Sequence, residues 1–448
     1  MKRSMFFAAA LLVLAGLAGN AQSGDARATS PYRLTLQDAI QKGLQANLSV
    51  LLAGAQVDDA AGTRVRSLSA ALLPRVNAQT YANFQNRDLR AFGISLPGMP
   101  EVVGPFSNYD IRLYAQQNLI DLQSLHALRA SEHALDAGKL DEQDARDLIV
   151  RAVAALYLGG ESAAARVDAA QSRVNDGATL LKLANDKHQA GTATGVDVLR
   201  AEVQLANDRQ ALLEAQNQYK QSLLAIQRNI GISPGLPIEL ADTLHYQPLP
   251  QDLPETLIPS ALAERADYRS LATRRDSLVE QQRANHARNL PKLSINGNFG
   301  GIGRSVGGIQ ATGLIQGQID FTLYDRDREG ESLEISSQIR SVDDRIADLR
   351  RGIEEDVREA LLNLDSATQQ VDVAQQGQDL AKRELSMAQD RFAQGTANNV
   401  EVVTAQDELA RAEENLILAV SSHVDAKFAL ARALGNTDRN IARFMAAR

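Results

Sequence analysis

The sequence predicts a mainly α-helical chain with a small membrane β-barrel, built as two tandem structural repeats of long helical hairpins plus two β-hairpins. Three observations carry that prediction. Gly191-Thr192-Ala193 returns as Gly395-Thr396-Ala397, 204 residues later (395 − 191 = 204), and the same offset relates Asp121 to Asp325 and Gly231 to Gly435. Between residues 186–206 and 390–410, 9 of 21 positions are identical, so the chain is a duplication, the signature of a repeat architecture. Long polar, alanine-rich runs flank each Gly-Thr turn, and two stretches in each copy switch to strict period-2 alternation.

Composition narrows the function classes. Lys and Arg number 47 against 55 Asp and Glu, a net charge of −8 with no basic cluster, which argues against nucleic acid as a partner. The absence of cysteine excludes disulfides, thiolate metal sites and a cysteine nucleophile. Aromatics are only 4% and tryptophan is absent, which suits alanine-rich helices packed along one another better than a thick globular core.

At the start, Lys2-Arg3 precede an apolar run from Met5 to about Ala18 and the small residues Gly19-Asn20-Ala21, the pattern of a secretory signal peptide over 1–21. The first repeat is expected over 22–231. Residues 34–47 read as a short amphipathic helix, and a second helix over 48–73 is stopped by Pro74. Alternating apolar and polar residues then predict strands at about 75–87 and 108–118, separated by a loop with three prolines. A helix from about 121 to 188 follows, roughly 100 Å long at 1.5 Å per residue. Gly191 supplies its left-handed cap, and Thr194 the N-cap of the return helix, 196–230.

Five of the twelve prolines mark an inter-repeat linker at 232–257. The second repeat, 258–436, repeats the plan: a helix broken at Pro291, strands at about 292–300 and 313–323, a long helix, the tip at 395 and a return helix to about 434. The first hairpin loop reads about 13 residues longer than the second, and 437–448 is left as a C-terminal tail.

Strands of ~9–11 residues with one apolar and one polar face match a transmembrane barrel, lipid outside and water inside. Phe84, Ile111, Leu113, Ile295, Ile319 and Phe321 are the expected lipid-facing residues. Nine of the 19 aromatics fall within the strand regions, as membrane-interface girdles require. Four strands cannot close a barrel, because ~8 is the practical minimum and an open edge cannot face lipid. Other copies of the chain must complete it.

The signal peptide, the repeat, the proline-terminated helices feeding strand pairs, and the paired tips HQAGTATGVDVLRA and RFAQGTANNVEVVTA together resemble the TolC-type outer-membrane efflux family over nearly the whole mature chain. The resemblance implies a homotrimer with a 12-stranded barrel in the outer membrane and a helical tunnel through the periplasm. It implies docking to an inner-membrane pump through a periplasmic adaptor (membrane fusion) protein, and it implies no catalysis and no cofactor. The chain departs from the family pattern at the second helix start, where Asn47-Leu48 replaces Asn-Pro, and at the second tip. There Ala397 and Thr404 stand in place of an arginine and the second of two acids, while Glu401 and, in the first repeat, Asp197 keep the acid.

Function is therefore expected to be passive export through a tripartite efflux or type I secretion system; the alternative is a soluble periplasmic coiled-coil scaffold or adaptor, which would need no apolar strand face. Gly191, Thr192, Gly395 and Thr396 are the candidate adaptor-docking tips, although the same residues also serve as plain helix–turn–helix chemistry. Asp197 and Glu401, six residues beyond each glycine, are candidates for an acidic ring at the periplasmic aperture; the simpler alternative is stabilisation by the helix dipole, ~0.3–1 kcal/mol. The glycine-rich stretch 300–307 lacks the Gly-Lys-Ser/Thr ending and joins strand to strand, so it reads as a hairpin loop and not a phosphate cradle. The six histidines are dispersed; His126 and His133 share a helix face at most, and no metal site is expected.

Overall fold

Pro74 and Pro291 each follow a helix and hand the chain to a strand, because proline lacks the amide proton and its ring clashes with the preceding turn. In the computed structural model, which describes residues 31–94, 97–249 and 254–446, the first repeat runs β1 (Tyr32–Leu34), α1 (Leu36–Ala46), α2 (Leu48–Leu72), β2 (Arg75–Asp88), β3 (Val102–Ile120), α3 (Leu122–Gln189) and α4 (Gly195–Asn229). After β4 (Ile238–Leu240), the second runs α5 (Pro254–Glu264), α6 (Ala266–His286), β5 (Lys292–Gly303), β6 (Gln310–Asp320), α7 (Asp327–Ala393) and α8 (Asn399–Leu434), and α9 (Thr437–Ala446) ends it. The expected signal peptide at 1–21 lies outside the described residues.

Asp121 and Asp325, the repeat-related pair, both sit at the head of a long helix. The Asp121 carboxylate accepts the Ser124 amide at 3.1 Å and pairs with Lys292 at 3.1 Å. Asp325 accepts the Asp327 amide at 3.1 Å and pairs with Arg288 at 2.6 Å. Each acid thus satisfies an orphan helix amide and ties the helix to the junction with β5. Asn47 caps α2 through its side chain, 2.9 Å from the Ser49 amide, so the Asn-Leu pair keeps the capping chemistry without a proline.

Over its half nearer the strands, α3 packs between α2 and α6; toward the tip it packs against α4, as α7 does against α8. A belt of apolar residues binds the two repeats midway. Leu34, Tyr157, Ile226, Ile353 and Phe428 are buried there together, and the Tyr157 hydroxyl lies 2.8 Å from the Leu34 carbonyl oxygen and 2.9 Å from the Asp242 carboxylate. One stretch of α3 is long and apolar enough to cross a bilayer, but half of it is buried inside the chain. Its apolarity serves the belt. β1 and β4 pair in parallel at its edge, with Leu34 opposite Leu240.

The four long strands form one antiparallel sheet in the order β2-β3-β5-β6. Its register puts Thr80, Ile111 and Gly301 in one row and Ala78, Leu113, Phe299 and Gly313 in another, on the same face. Gln79, Arg112, Gly300 and Thr312 align on the other. The period-2 reading of faces therefore holds across the sheet between its bulges, at Gln85–Arg87 and Asn118–Ile120.

Three expectations are corrected. β3 is longer than the expected 108–118 at both ends, because Val102 and Val103 pair with Asp88 and Arg87 beyond one bulge and Ile120 pairs with Leu293 beyond another. Much of the longer first loop is thus strand. β6 spans Gln310–Asp320 and not 313–323: Asp320 pairs with Lys292, the first residue of β5, and Pro291 before it has no amide proton to continue the ladder. Phe321 is consequently not a strand residue but lies just past the sheet. Finally, the expected tail forms α9, whose Ile441 and Phe444 are buried against the belt.

Candidate docking and aperture site at the hairpin tips

The two tips share one Gly-Thr turn. Gly191 and Gly395 adopt φ of +75° and +76°, the left-handed region where a Cβ is strained, with open space around each. The Thr192 amide donates to the Lys187 carbonyl at 2.9 Å and its hydroxyl to the same oxygen at 3.1 Å. Thr396 repeats both bonds to Arg391, at 3.0 and 3.1 Å. Gly-Thr is therefore a helix-ending device: glycine makes the turn, and threonine satisfies a carbonyl that the last helical turn leaves open. All four residues are exposed.

The acids behave differently from each other. Asp197 closes a capping box, its carboxylate accepting the Thr194 amide at 3.0 Å and the Thr194 hydroxyl at 2.7 Å. The Thr194 hydroxyl, with help from its amide and Arg200, holds the Asp197 carboxyl below the usual carboxylate range. Glu401 instead pairs with Arg391 at 3.0 Å across the second turn, both side chains exposed. A capping residue for α8 is supplied by Asn398, which accepts the Val400 amide at 3.1 Å.

The structure brings the two tips together. Asn399 is fully buried and its Nδ2 donates to the Asp197 carbonyl oxygen at 2.8 Å, across 202 residues of sequence. Behind this bond, Leu180, Ala201, Leu385, Phe392, Val402 and Ala405 form a small core drawn from α3, α4, α7 and α8. Neither Asn399 nor Arg391 stands out in the sequence by itself, yet both carry a signal. Asn399 falls where the first repeat has Gly195, and Arg391 where it has Lys187, one turn before the glycine.

At the opposite end, Phe84, Ile111, Leu113, Ile295 and Ile319 all lie exposed on the apolar face of the sheet. On its polar face, Arg112 engages the Asp110 carboxylate through Nε at 2.7 Å and through Nη2, and reaches Asn298 at 3.3 Å. That cluster staples β3 to β5. Among the described residues no group of three or more His, Asp or Glu is placed to hold a metal ion. His126 pairs with Glu280 at 2.7 Å rather than joining His133.

The family model described as outer membrane efflux protein matches residues 39–232 and 257–436. The toluene efflux pump outer membrane protein TtgF of Pseudomonas putida is 24% identical over 384 residues, covering 83% of this chain and 77% of that protein. Among solved structures, the outer membrane protein VceC of Vibrio cholerae superposes with a TM-score of 0.75 at 18% identity, over 89% of this chain and 96% of that one. The Campylobacter jejuni CmeC outer membrane channel gives 0.74 at 17% identity, over 92% and 89%.

Proposed function

The chain belongs to the outer membrane efflux protein family, and from that premise we propose that three copies assemble into one export duct whose tips dock a periplasmic adaptor protein joined to an inner-membrane pump. The protein is an efflux channel of the outer membrane that extends into the periplasm, in a family of transport proteins rather than enzymes. One observation carries the detailed reading: a four-stranded sheet with an apolar face and two unpaired edge strands, β2 and β6, set at the end of helices roughly 100 Å long. Open edges cannot face lipid, so each β2 pairs with a neighbour's β6 and three copies give twelve strands. A periplasmic scaffold has no use for such a face.

Gly191, Thr192, Gly395 and Thr396 then form a ring of exposed turns at the end farthest from the membrane. Asp197 and Glu401 lie just behind them, around the aperture. Substrate passes through water without covalent chemistry, and the pump supplies the energy. The test uses Gly191→Trp and Gly395→Trp, which add bulk to the exposed turns and strain them at positive φ without touching the belt or the sheet. Export is expected to fall to background while heat-modifiable, SDS-resistant trimers persist in the outer-membrane fraction. Undiminished export would remove the tips from docking.

A further inference from the structure

About four helical turns above the tips, α3, α4, α7 and α8 partly enclose a cavity of about 30 Å³, lined by both polar and apolar side chains, enough for a water molecule. α3 contributes Arg173 and Asp176, α4 Gln204 and Asp208, and α8 Gln406 and Asp407. Glu413 of α8 and Lys382 of α7 lie close enough to join the same electrostatic group. Four carboxylates thus face two bases; Asp208 is buried and Glu413 half-buried, while Asp176, Asp407 and Lys382 lie at the exposed rim. Two buried atoms here have no partner: Arg173 Nε and the Oε1 of Gln406, a residue only 8% exposed. In a packed four-helix segment, an orphaned buried acceptor beside a small, partly open cavity marks a place where a solvent proton donor is expected.

The layer is specific to its position. Asp208 is buried, and its Oδ2 occupies the space a Cβ at Gly177 would take, 2.8 Å from that point. Gln204 donates to its other oxygen at 3.2 Å. The duplication did not produce the arrangement, because the repeat-related positions of Arg173, Asp176 and Asp208 are Gly377, Leu380 and Ala412. A set of acids gathered from both hairpins, in one copy of the pattern only, is a contact between hairpins and not part of either.

We propose that this layer is a proton-operated latch between the two helical hairpins: acid on the tip side neutralises it and draws the hairpins together, and neutral solution charges it and lets them part. Burial pushes the carboxyls of Asp208 and Glu413 up, with the neighbouring acids Asp407 and Asp176 adding to the rise at Asp208, and Asp176 to that at Glu413. An acid raised in the closed arrangement favours that arrangement when protonated, so closure gains as pH falls and is lost as pH rises through the raised values. Asp407 adds its charge from the rim, while Arg173 and Lys382 offset part of the repulsion without balancing it.

The latch rests on the channel reading, and the experiment separates the two. Full-length protein is inserted in planar bilayers, and only the chamber facing the tips is taken from pH 7.5 to 5. Conductance of the wild type is expected to fall about threefold. Asp208→Asn with Glu413→Gln should give the low value at both pH values, since the amides mimic the protonated acids, and Asp208→Glu should restore the wild-type profile. A wild-type pH profile in the double variant, or a double variant fixed at high conductance, overturns the latch. Trimers that form no pore at any pH strike at the channel reading instead.

Discussion

Asp197 and Glu401 occupy equivalent places in the duplication and yet are held by different chemistry. Asp197 is committed to its own helix start, so Asp197→Ala is expected to cost about 1 kcal/mol and to loosen the first turn of α4. Glu401 sits in an exposed ion pair worth about 0–1 kcal/mol, so Glu401→Ala should leave the fold unchanged. Both substitutions are expected to reduce cation preference, read as the reversal potential across a salt gradient, while hydrogen exchange near residue 196 speeds up only in the first. Because the Thr194 hydroxyl lowers the Asp197 pKa, its capping contribution is complete above the ordinary carboxylate value of about 4 and is lost as pH falls through the lowered one. The cation preference should therefore survive mild acid.

At the scale of elements, a hydrogen bond, a small apolar cluster and the Lys187 ammonium over the Phe392 ring help hold the hairpins together at their ends. Asn399→Ala removes the bond to the Asp197 carbonyl, about 1 kcal/mol, and should lower exchange protection at both tips roughly fivefold while leaving the barrel amides untouched. Most elements are legible in the sequence because their signals are local. Pro74 and Pro291 end helices, alternation marks strands, and Gly191 and Gly395 close the hairpins. The rest depends on partners distant in sequence. Three-residue strands such as Tyr32–Leu34 show no period and exist only because Ile238–Leu240 lies beside them. The end of β6 is set by Lys292 and Pro291 on the neighbouring strand, which is why alternation alone overruns it and places Phe321 in the sheet. Ile441 and Phe444, three apart, do carry a weak helical signal for α9. The acid layer has none, since its members come from separate helices.

For the whole molecule, the sheet divides two environments, and adjacent residues report on them separately. Ile315, 85% exposed at the middle of β6 on the apolar face, should tolerate charge poorly: Ile315→Arg is expected to cost about 2–4 kcal/mol per chain near the bilayer midplane and to deplete trimers from the outer membrane. Gln316→Arg, one residue on and facing the interior, should assemble normally. Equal loss of heat-resistant trimers in both would remove the division. The two unpaired edges also have a genetic consequence. Because no chain seals its own barrel, a copy that incorporates but cannot conduct spoils the two intact copies it joins. Expressed in equal amounts beside the wild type and mixing at random, such a variant leaves about one trimer in eight free of it. Defective alleles that still assemble should therefore be dominant, and those that fail to pair at the edges recessive.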